Sequence, residues 1–529
     1  MGRELEEREA AQSLDLSLGP RVGGDALHAT FEDVVDHTHH VRREFGHVPV
    51  GTRRHHRGGF TLRQFAEQFD DARTHAFVGG HHVGVGQEVS HTESVACRRW
   101  RDCLTGGMET TQRQSDTRGL ASATWGLFTG LALIMLSGGI FSTLLGVRAE
   151  LKGLPTIVSG SLTAAYYAGF LLGSSATLKA LAKVGHIRAY AGLASILTAA
   201  ILMIGLTDSA PAWIAFRMVT GFGFAGLYVV AESWLNGLVT NEIRGRLLSV
   251  YGAVVIGAFG LGQLVVFSLD ARSLSSFAIA ALIASVGVLP VAMSEQASTP
   301  VVEEQSHISL KELARTVPTG VGAVVLVGLA HGAMLGLAAI YATREGLGVG
   351  RTGLLLAAVE FGGMLMNWPI AAASDDIDRR VVGVVVSVAT MGAAALLTLG
   401  PAKSPMATVL MAVIGGFSSP LYSLSGAYTN DWIEPEHLSA AASQLVRLYG
   451  IGAMLGPFVA SVFMDTLGTD GFGWSIIVLH GVVAMFFVYR IRAWHSPLTR
   501  RPWNEVSMPA RAFFVPATVV SIGARGRRK

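Results

Sequence analysis

Charge is what this sequence has least of: 15% of its 529 residues are Asp, Glu, Lys or Arg, against roughly a quarter in a soluble globular chain. That shortage argues against a soluble enzyme. The net charge of +3 is spread thinly, which leaves no basic stripe for nucleic acid and no reason to expect a nucleic-acid partner. Cysteine is nearly missing too. Cys97 and Cys103 cannot build a disulfide framework. No His or Cys spacing matches a closed zinc site, so neither a metal nor another cofactor is expected. No G-x-x-x-x-G-K-[ST] loop occurs, which disfavours an ATP-driven pump. No secretory signal is visible.

Apolar length is what the sequence has in quantity, with 50% hydrophobic residues and 63 glycines and a mean hydropathy of +0.44. The distribution is uneven. Residues 1–107 hold eleven of the seventeen histidines, both cysteines, and no apolar run able to cross a bilayer. His37, His39 and His40 cluster and His81 and His82 are adjacent, a pattern that suits a disordered polar tail better than a metal site. No methionine lies between Met1 and Met108, and the expectation is that the biological start is Met108, a genuine disordered leader being the alternative.

From about residue 120 the pattern reverses. Runs of about twenty apolar residues, each long enough at 1.5 Å rise to span a roughly 30 Å hydrocarbon core, fall at 123–147, 155–178, 187–206, 211–235, 247–269, 275–293, 318–342, 352–373, 381–400, 405–428, 438–463 and 473–493. The expected fold is an all-α membrane protein of twelve helices. The longest break divides it into six-helix bundles at 120–293 and 318–495, joined by a linker at 294–317 and followed by a basic tail at 496–529. Within the linker, Ile308, Leu310 and Leu313 can form one face of a short surface helix. Lys179, Lys183, Arg188, Arg244, Arg246, Lys311, Arg315, Arg379 and Arg380 fall in one set of loops, and Arg148, Lys152, Arg272, Arg344, Arg351 and Lys403 in the other. The excess, with the Arg-rich tail, puts both termini in the cytoplasm.

The halves repeat each other. Val219-Thr220-Gly221 running to Leu227-Tyr228 recurs as Val413-Ile414-Gly415 running to Leu421-Tyr422 at an offset of 194. The loops Val184–Arg188 and Ile377–Arg380 correspond at 193, and Tyr251-Gly252 and Tyr449-Gly450 at 198. Parallel repeats of this kind place a transport site between two bundles near the midplane.

On these residues the chain resembles the major facilitator superfamily over all twelve helices. The resemblance is carried by Pro369-Ile370-Ala371-Ala372-Ala373-Ser374-Asp375-Asp376-Ile377-Asp378-Arg379-Arg380, by Arg217 with Gly221, and by Arg244-Gly245-Arg246. The ending Glu232-Ser233-Trp234-Leu235-Asn236 is most similar to the poorly characterised bacterial YcaD-like branch. The resemblance implies a permease of the cell membrane that works by alternating access, as a monomer among membrane lipids. It also implies a cytoplasmic gate from Gly185, Arg188, Glu232, Arg244, Asp375, Asp378, Arg379 and Arg380. Some positions depart from the family pattern. Ala182 stands where the superfamily has Asp after the second helix, Ala371 where it has Gly, and Asp376 where it has Arg. The fifth helix lacks the antiporter-type proline, which weakens a drug/proton exchanger.

Ionisable groups inside spans cost about 2.5–3.5 kcal/mol on insertion scales, so each needs a partner, water or a task. Glu360 lies eight residues into the eighth span, roughly 12 Å deep by helical rise, where a carboxyl suits a proton carrier. A neutral Glu hydrogen-bonded within the bundle is the other reading. His331, near the centre of the seventh span, can meet Glu360 if both face a cavity; a satisfied core histidine is the alternative, as it is for His480. The resemblance places Arg217 in the transport core, where it can hold an anionic substrate or keep a nearby carboxylate ionised; otherwise it snorkels outward. Tyr166, Tyr167, Gln263, Asn367 and Trp368 can offer hydrogen bonds or stacking to a small organic solute, or serve as helix packing. Gly328, Gly332 and Gly336 mark a close helix contact. The expected function is proton-coupled secondary transport of a small molecule. The alternatives are a facilitator without ion coupling, a drug or metabolite efflux antiporter, and a transporter-like receptor. No clustered nucleophile and base point to an enzyme.

Overall fold

A computed structural model describes residues 109–238, 241–294, 308–434 and 437–493, with side chains from Thr124 onward except at 238, 241–246 and 439. The leader at 1–107 with its histidines and cysteines, the tail at 496–529, most of the linker, and the side chains of Arg244 and Arg246 lie outside the described residues.

Among the described residues the chain is all-α, without a strand. The first half runs α1 (Glu109–Leu151), α2 (Thr156–Val184), α3 (His186–Leu206), α4 (Ala210–Leu238), α5 (Asn241–Val265), α6 (Leu274–Val286) and α7 (Val288–Ala292). After the short α8 (Leu310–Thr316), the second half runs α9 (Pro318–Arg344), α10 (Val349–Asp376), α11 (Arg379–Leu399), α12 (Pro405–Ser418), α13 (Pro420–Asn430), α14 (Leu438–Leu467) and α15 (Asp470–Ala493). Two spans expected as continuous are broken. The sixth divides at Gly287 into α6 and α7, and the tenth at Ser419 into α12 and α13. The second break has a visible cause: Pro420 brings no N–H and cannot continue the hydrogen-bond ladder. The linker helix α8 is capped by the Ser309 hydroxyl, which accepts from the Glu312 amide at 3.2 Å. Its expected apolar face is reduced to Leu313, because Leu310 is exposed and Ile308 precedes the helix.

Eleven helices among the described residues are long and apolar enough to cross a membrane. α2 falls short of that hydropathy because it carries Thr156, Ser159, Thr163, Tyr166, Tyr167, Ser174 and Thr177. These polar groups are not a fault in a membrane helix, since most of them are buried where α2 packs between α4 and α14. The outward faces carry Leu282, Leu365, Val385, Leu396 and Met406, as lipid contact requires.

Each half repeats the same contacts. α1 packs on α5 and α6, α2 on α4, and α3 on α4 and α6; correspondingly α9 packs on α14 and α15, α10 on α12, and α11 on α12 and α15. Close backbone approaches repeat residue by residue. A Cβ at Gly139 would strike the Phe259 carbonyl and one at Gly332 the Ala453 carbonyl; Gly221 meets the Tyr166 carbonyl and Gly415 that of Val359. All four correspondences hold at an offset of 193 or 194, so the repeat heard faintly in sequence is a repeat of helix packing. The halves meet along α2–α14, α5–α10 and α1–α9.

Candidate functional site

Between the halves lies a cavity with about 1000 Å³ of empty volume, part of it open to solvent. Its walls come from both halves. α1, α2, α4 and α5 contribute Ser142, Ser159, Tyr166, Tyr167, Arg217, Phe224, Phe259 and Gln263, while α9 and α10 contribute Met334, Leu335, Leu356 and Glu360.

Arg217 reaches this wall because Gly221, one turn later, lets α4 approach the α2 backbone at Tyr166. The guanidinium then lies over the Tyr166 ring, 4.7 Å from its centroid, and 5.4 Å from that of Phe141. Its Nε is buried and has no hydrogen-bond partner among the described residues. Among the described residues no carboxylate pairs with Arg217, and the groups whose charge it meets are Tyr166 and Tyr167. Ring faces contribute about 0.5–2 kcal/mol to a cation, less than the several kcal/mol lost on taking it out of water.

Glu360 stands across the cavity on α10. That helix is held close to α5 where Gly353 faces the Gln263 carbonyl, and close to α12 where Gly362 faces the Ala412 carbonyl. The side chain is 8% exposed, and no hydrogen bond or ion pair reaches its carboxylate among the described residues. The repeat offset of 193 makes Glu360 the counterpart of Tyr167, and that of 194 makes Arg217 the counterpart of Met411. The acid thus belongs to one half only and the cation to the other. Gln263 on α5 and Ser159 on α2 add to the cavity lining a buried amide oxygen and a buried hydroxyl, neither with a partner among the described residues.

Five of the nine residues singled out in the sequence, Glu360, Arg217, Tyr166, Tyr167 and Gln263, therefore share one cavity. The other four do not line it. His331 is fully packed beside Tyr449: one ring nitrogen is 3.3 Å from the Tyr449 hydroxyl, and the other is 3.0 Å from the Ser418 carbonyl. His480 lies 2.8 Å from the Ser418 hydroxyl and 2.9 Å from the Ile476 carbonyl. A carbonyl oxygen can only accept, so each ring donates there, and a hydroxyl lies at its other nitrogen. Both histidines thus tie neighbouring helices around the α12–α13 break. Asn367, two turns below Glu360 on α10, is 1% exposed and both its amide atoms lack partners among the described residues. Trp368 faces outward at 56% exposure, which removes it from solute stacking.

The loops expected to form a gate are described most fully in the second half. In the second half Arg379 donates to Asp431 at 2.9 Å, to the Ser374 hydroxyl at 2.8 Å and to Asp375 at 3.3 Å. Arg380 pairs with Asp378 at 2.8 Å and donates to the Arg490 carbonyl at 3.0 Å. In the first half, where Ala182 replaces the acid, Arg188 is exposed. Among the described side chains there, His186 lies 3.1 Å from the Ser233 hydroxyl. Gly185 takes φ +78 at the turn between α2 and α3, and Glu232 is buried in α4.

Two features escaped the sequence. Tyr449 links His331 to Tyr167 across the seam, its ring centroid 6.4 Å from that of Tyr167; the Tyr-Gly repeat marked the residue but not this use. At the opposite end from the gate loops, Arg344 at the end of α9 pairs with Glu150 at the end of α1 at 2.9 Å and donates to the Thr156 hydroxyl at 2.8 Å. The Ser461 hydroxyl of α14 adds a 3.0 Å bond to the Thr156 carbonyl. These bonds strap the two halves together.

Known proteins resemble this chain in both sequence and shape. The family model described as Major Facilitator Superfamily matches residues 321–524. An uncharacterized MFS-type transporter YcaD from Escherichia fergusonii is 29% identical over 343 residues, covering 64% of this chain and 88% of its own length. The Salmonella heidelberg counterpart is 28% identical over 344 residues, with the same shares covered. Among solved structures, the nucleoside transporter NupG aligns with TM-score 0.58 and 14% identity over 70% of this chain and 98% of that one. A bacterial homolog of the human lysosomal transporter Spinster, inward-facing and occupied, gives TM-score 0.56 and 16% identity over 70% and 97%. At these identities the structural likeness is one of fold.

Proposed function

The chain belongs to the major facilitator superfamily, in its YcaD-like branch, and from that premise we propose that it moves a small solute across the membrane by alternating access, driven by protons that Glu360 carries. One observation carries the proposal. Glu360 is the acid of a cavity shared by two rocking halves, and nothing in the described protein ties it down. A structural carboxyl would be held by a partner, since a buried polar group without one costs free energy. A carboxyl that must exchange its proton with alternate sides of the membrane is better left unpaired in a cavity. The titratable and charged groups that line the cavity with it are Tyr166, Tyr167 and Arg217, and its charge also acts on Tyr228 and Tyr449.

The charge bias of the loops puts the gate loops and both termini in the cytoplasm. The Glu150–Arg344 strap then closes the external end, and Arg379 with Asp431 and Asp375 steadies the cytoplasmic end of the second half.

The test is uptake into proteoliposomes, with solutes first selected because they raise the thermal stability of the purified protein. Wild type is expected to accumulate the solute when a pH gradient is imposed. Glu360→Gln is expected to lose the response to the gradient while still exchanging labelled for unlabelled solute. Identical responses from the two proteins would remove Glu360 from the coupling. Exchange without accumulation in wild type would make the protein a facilitator.

A further inference from the structure

The cargo of this cavity can be argued from the arginines of the bundle. Arg148, Arg379 and Arg380 are buried, and each has its own carboxylate: Asp208 at 2.9 Å, Asp431 at 2.9 Å and Asp378 at 2.8 Å. Arg344 has Glu150. Among the described residues these four guanidiniums each meet an acid, and Arg217 does not. It sits in the cavity wall on ring faces, its Nε buried and without a hydrogen-bond partner among the described residues. Glu360, which could have matched it, is held on the other half and does not reach it.

A planar guanidinium presents two parallel donors suited to one carboxylate. Around it the wall is mostly ring and aliphatic surface, with Phe224, Phe259, Leu356 and Met334. Besides the Glu360 carboxylate on the second half, the lining atoms without partners among the described residues are few, namely the Gln263 amide oxygen and the Ser159 hydroxyl. A solute with many hydroxyls would leave most of its polar groups unpaired against such a wall, whereas one with a single charged head and an apolar body would not.

Resting on the transporter function above, we propose that the cargo is a small organic anion whose carboxylate binds Arg217 and whose apolar or aromatic body lies against Tyr166, Phe224 and Phe259. Gln263 and Ser159 supply its remaining hydrogen bonds.

The experiment measures binding, which needs no transport. Full-length protein in nanodiscs is titrated with benzoate, phenylacetate and hexanoate, with the matching primary amides, and with benzylamine, by calorimetry and thermal shift. The acids are expected to bind at least tenfold more tightly than their amides. Arg217→Gln should weaken them at least tenfold, and Arg217→Lys should restore part of the loss. Without ligand, Arg217→Gln should melt no lower than wild type, because no native ion pair is lost. The proposal is overturned if no acid binds, if an amide or benzylamine binds as tightly as the acids, or if Arg217→Gln leaves acid affinity unchanged. A clearly lower melting point for unliganded Arg217→Gln would make the arginine structural and would also overturn it. The two proposals fail separately. Acid binding without gradient-driven uptake refutes coupling through Glu360 and leaves the anion site standing, while gradient-driven uptake of a neutral solute does the reverse.

Discussion

Replacing Arg344 by Gln cuts the strap between the halves, and the structure sets the size of the effect. The Glu150–Arg344 pair is 2.9 Å long with side chains 18% and 23% exposed, between the surface and buried cases. An exposed pair is worth about 0.2–1 kcal/mol, and breaking a buried one costs about 3–5 kcal/mol. With the second bond to Thr156, a value of about 1.5 kcal/mol follows, and each 1.4 kcal/mol is about tenfold in an equilibrium ratio. These bonds run between halves, so their loss is paid only by the conformation in which this end is shut. The open population at that end should therefore rise about tenfold. Spin labels at the exposed Leu151 and Leu467, in a chain carrying Cys97→Ser and Cys103→Ser, would read this as a longer component in the distance distribution. Arg148→Gln is the control. It breaks an ion pair of the same length to Asp208, inside the first half, and should lower thermal stability without lengthening the distance. An unchanged distribution in Arg344→Gln, or an equal shift in Arg148→Gln, would refute the reasoning.

Two further predictions concern the scaffold. Gly332→Val and Gly139→Val place a side chain against the carbonyls of Ala453 and Phe259 and should each destabilise by about 1–3 kcal/mol. Gly192→Ala, with open space around it, should stabilise by a few tenths up to about 1 kcal/mol; thermal melting in detergent separates the two classes. Ser418→Ala removes the hydroxyl between α12 and His480 and should cost about 1–3 kcal/mol. It should leave carboxylate binding unchanged, and a loss of that binding would return His480 to the site.

Much of the fold was legible because a bilayer imposes a length rule. Runs such as 187–206 and 318–342 are predominantly apolar, and their boundaries move by only a few residues between sequence and structure. Where the rule weakened, there was a local cause. α2 is too polar for a simple hydropathy test because its polar face is turned inward to the cavity and seam. The breaks at Gly287 and Ser419 depend on backbone detail that apolar length does not encode. The candidate site was half legible. An ionisable residue within a span announces itself, and so Glu360, Arg217, His331 and His480 were all visible as exceptions.

Which exceptions belong together was decided by packing. Sequence can place His331 and Glu360 on neighbouring helices, but the rotation of each helix determines the direction its side chains take. The structure turns His331 toward Tyr449 and Ser418, and turns Glu360 into the cavity opposite Arg217. It also joins Glu150 to Arg344 across 194 residues, a pairing that no local pattern announces. The sequence by itself determined the solvent, the number of spans and their twofold repeat, because hydrophobic length and recurrence are properties of the chain. Only the tertiary structure decided which charges are answered and which are left open, because a partner is a matter of distance, and distance exists only once the helices are packed.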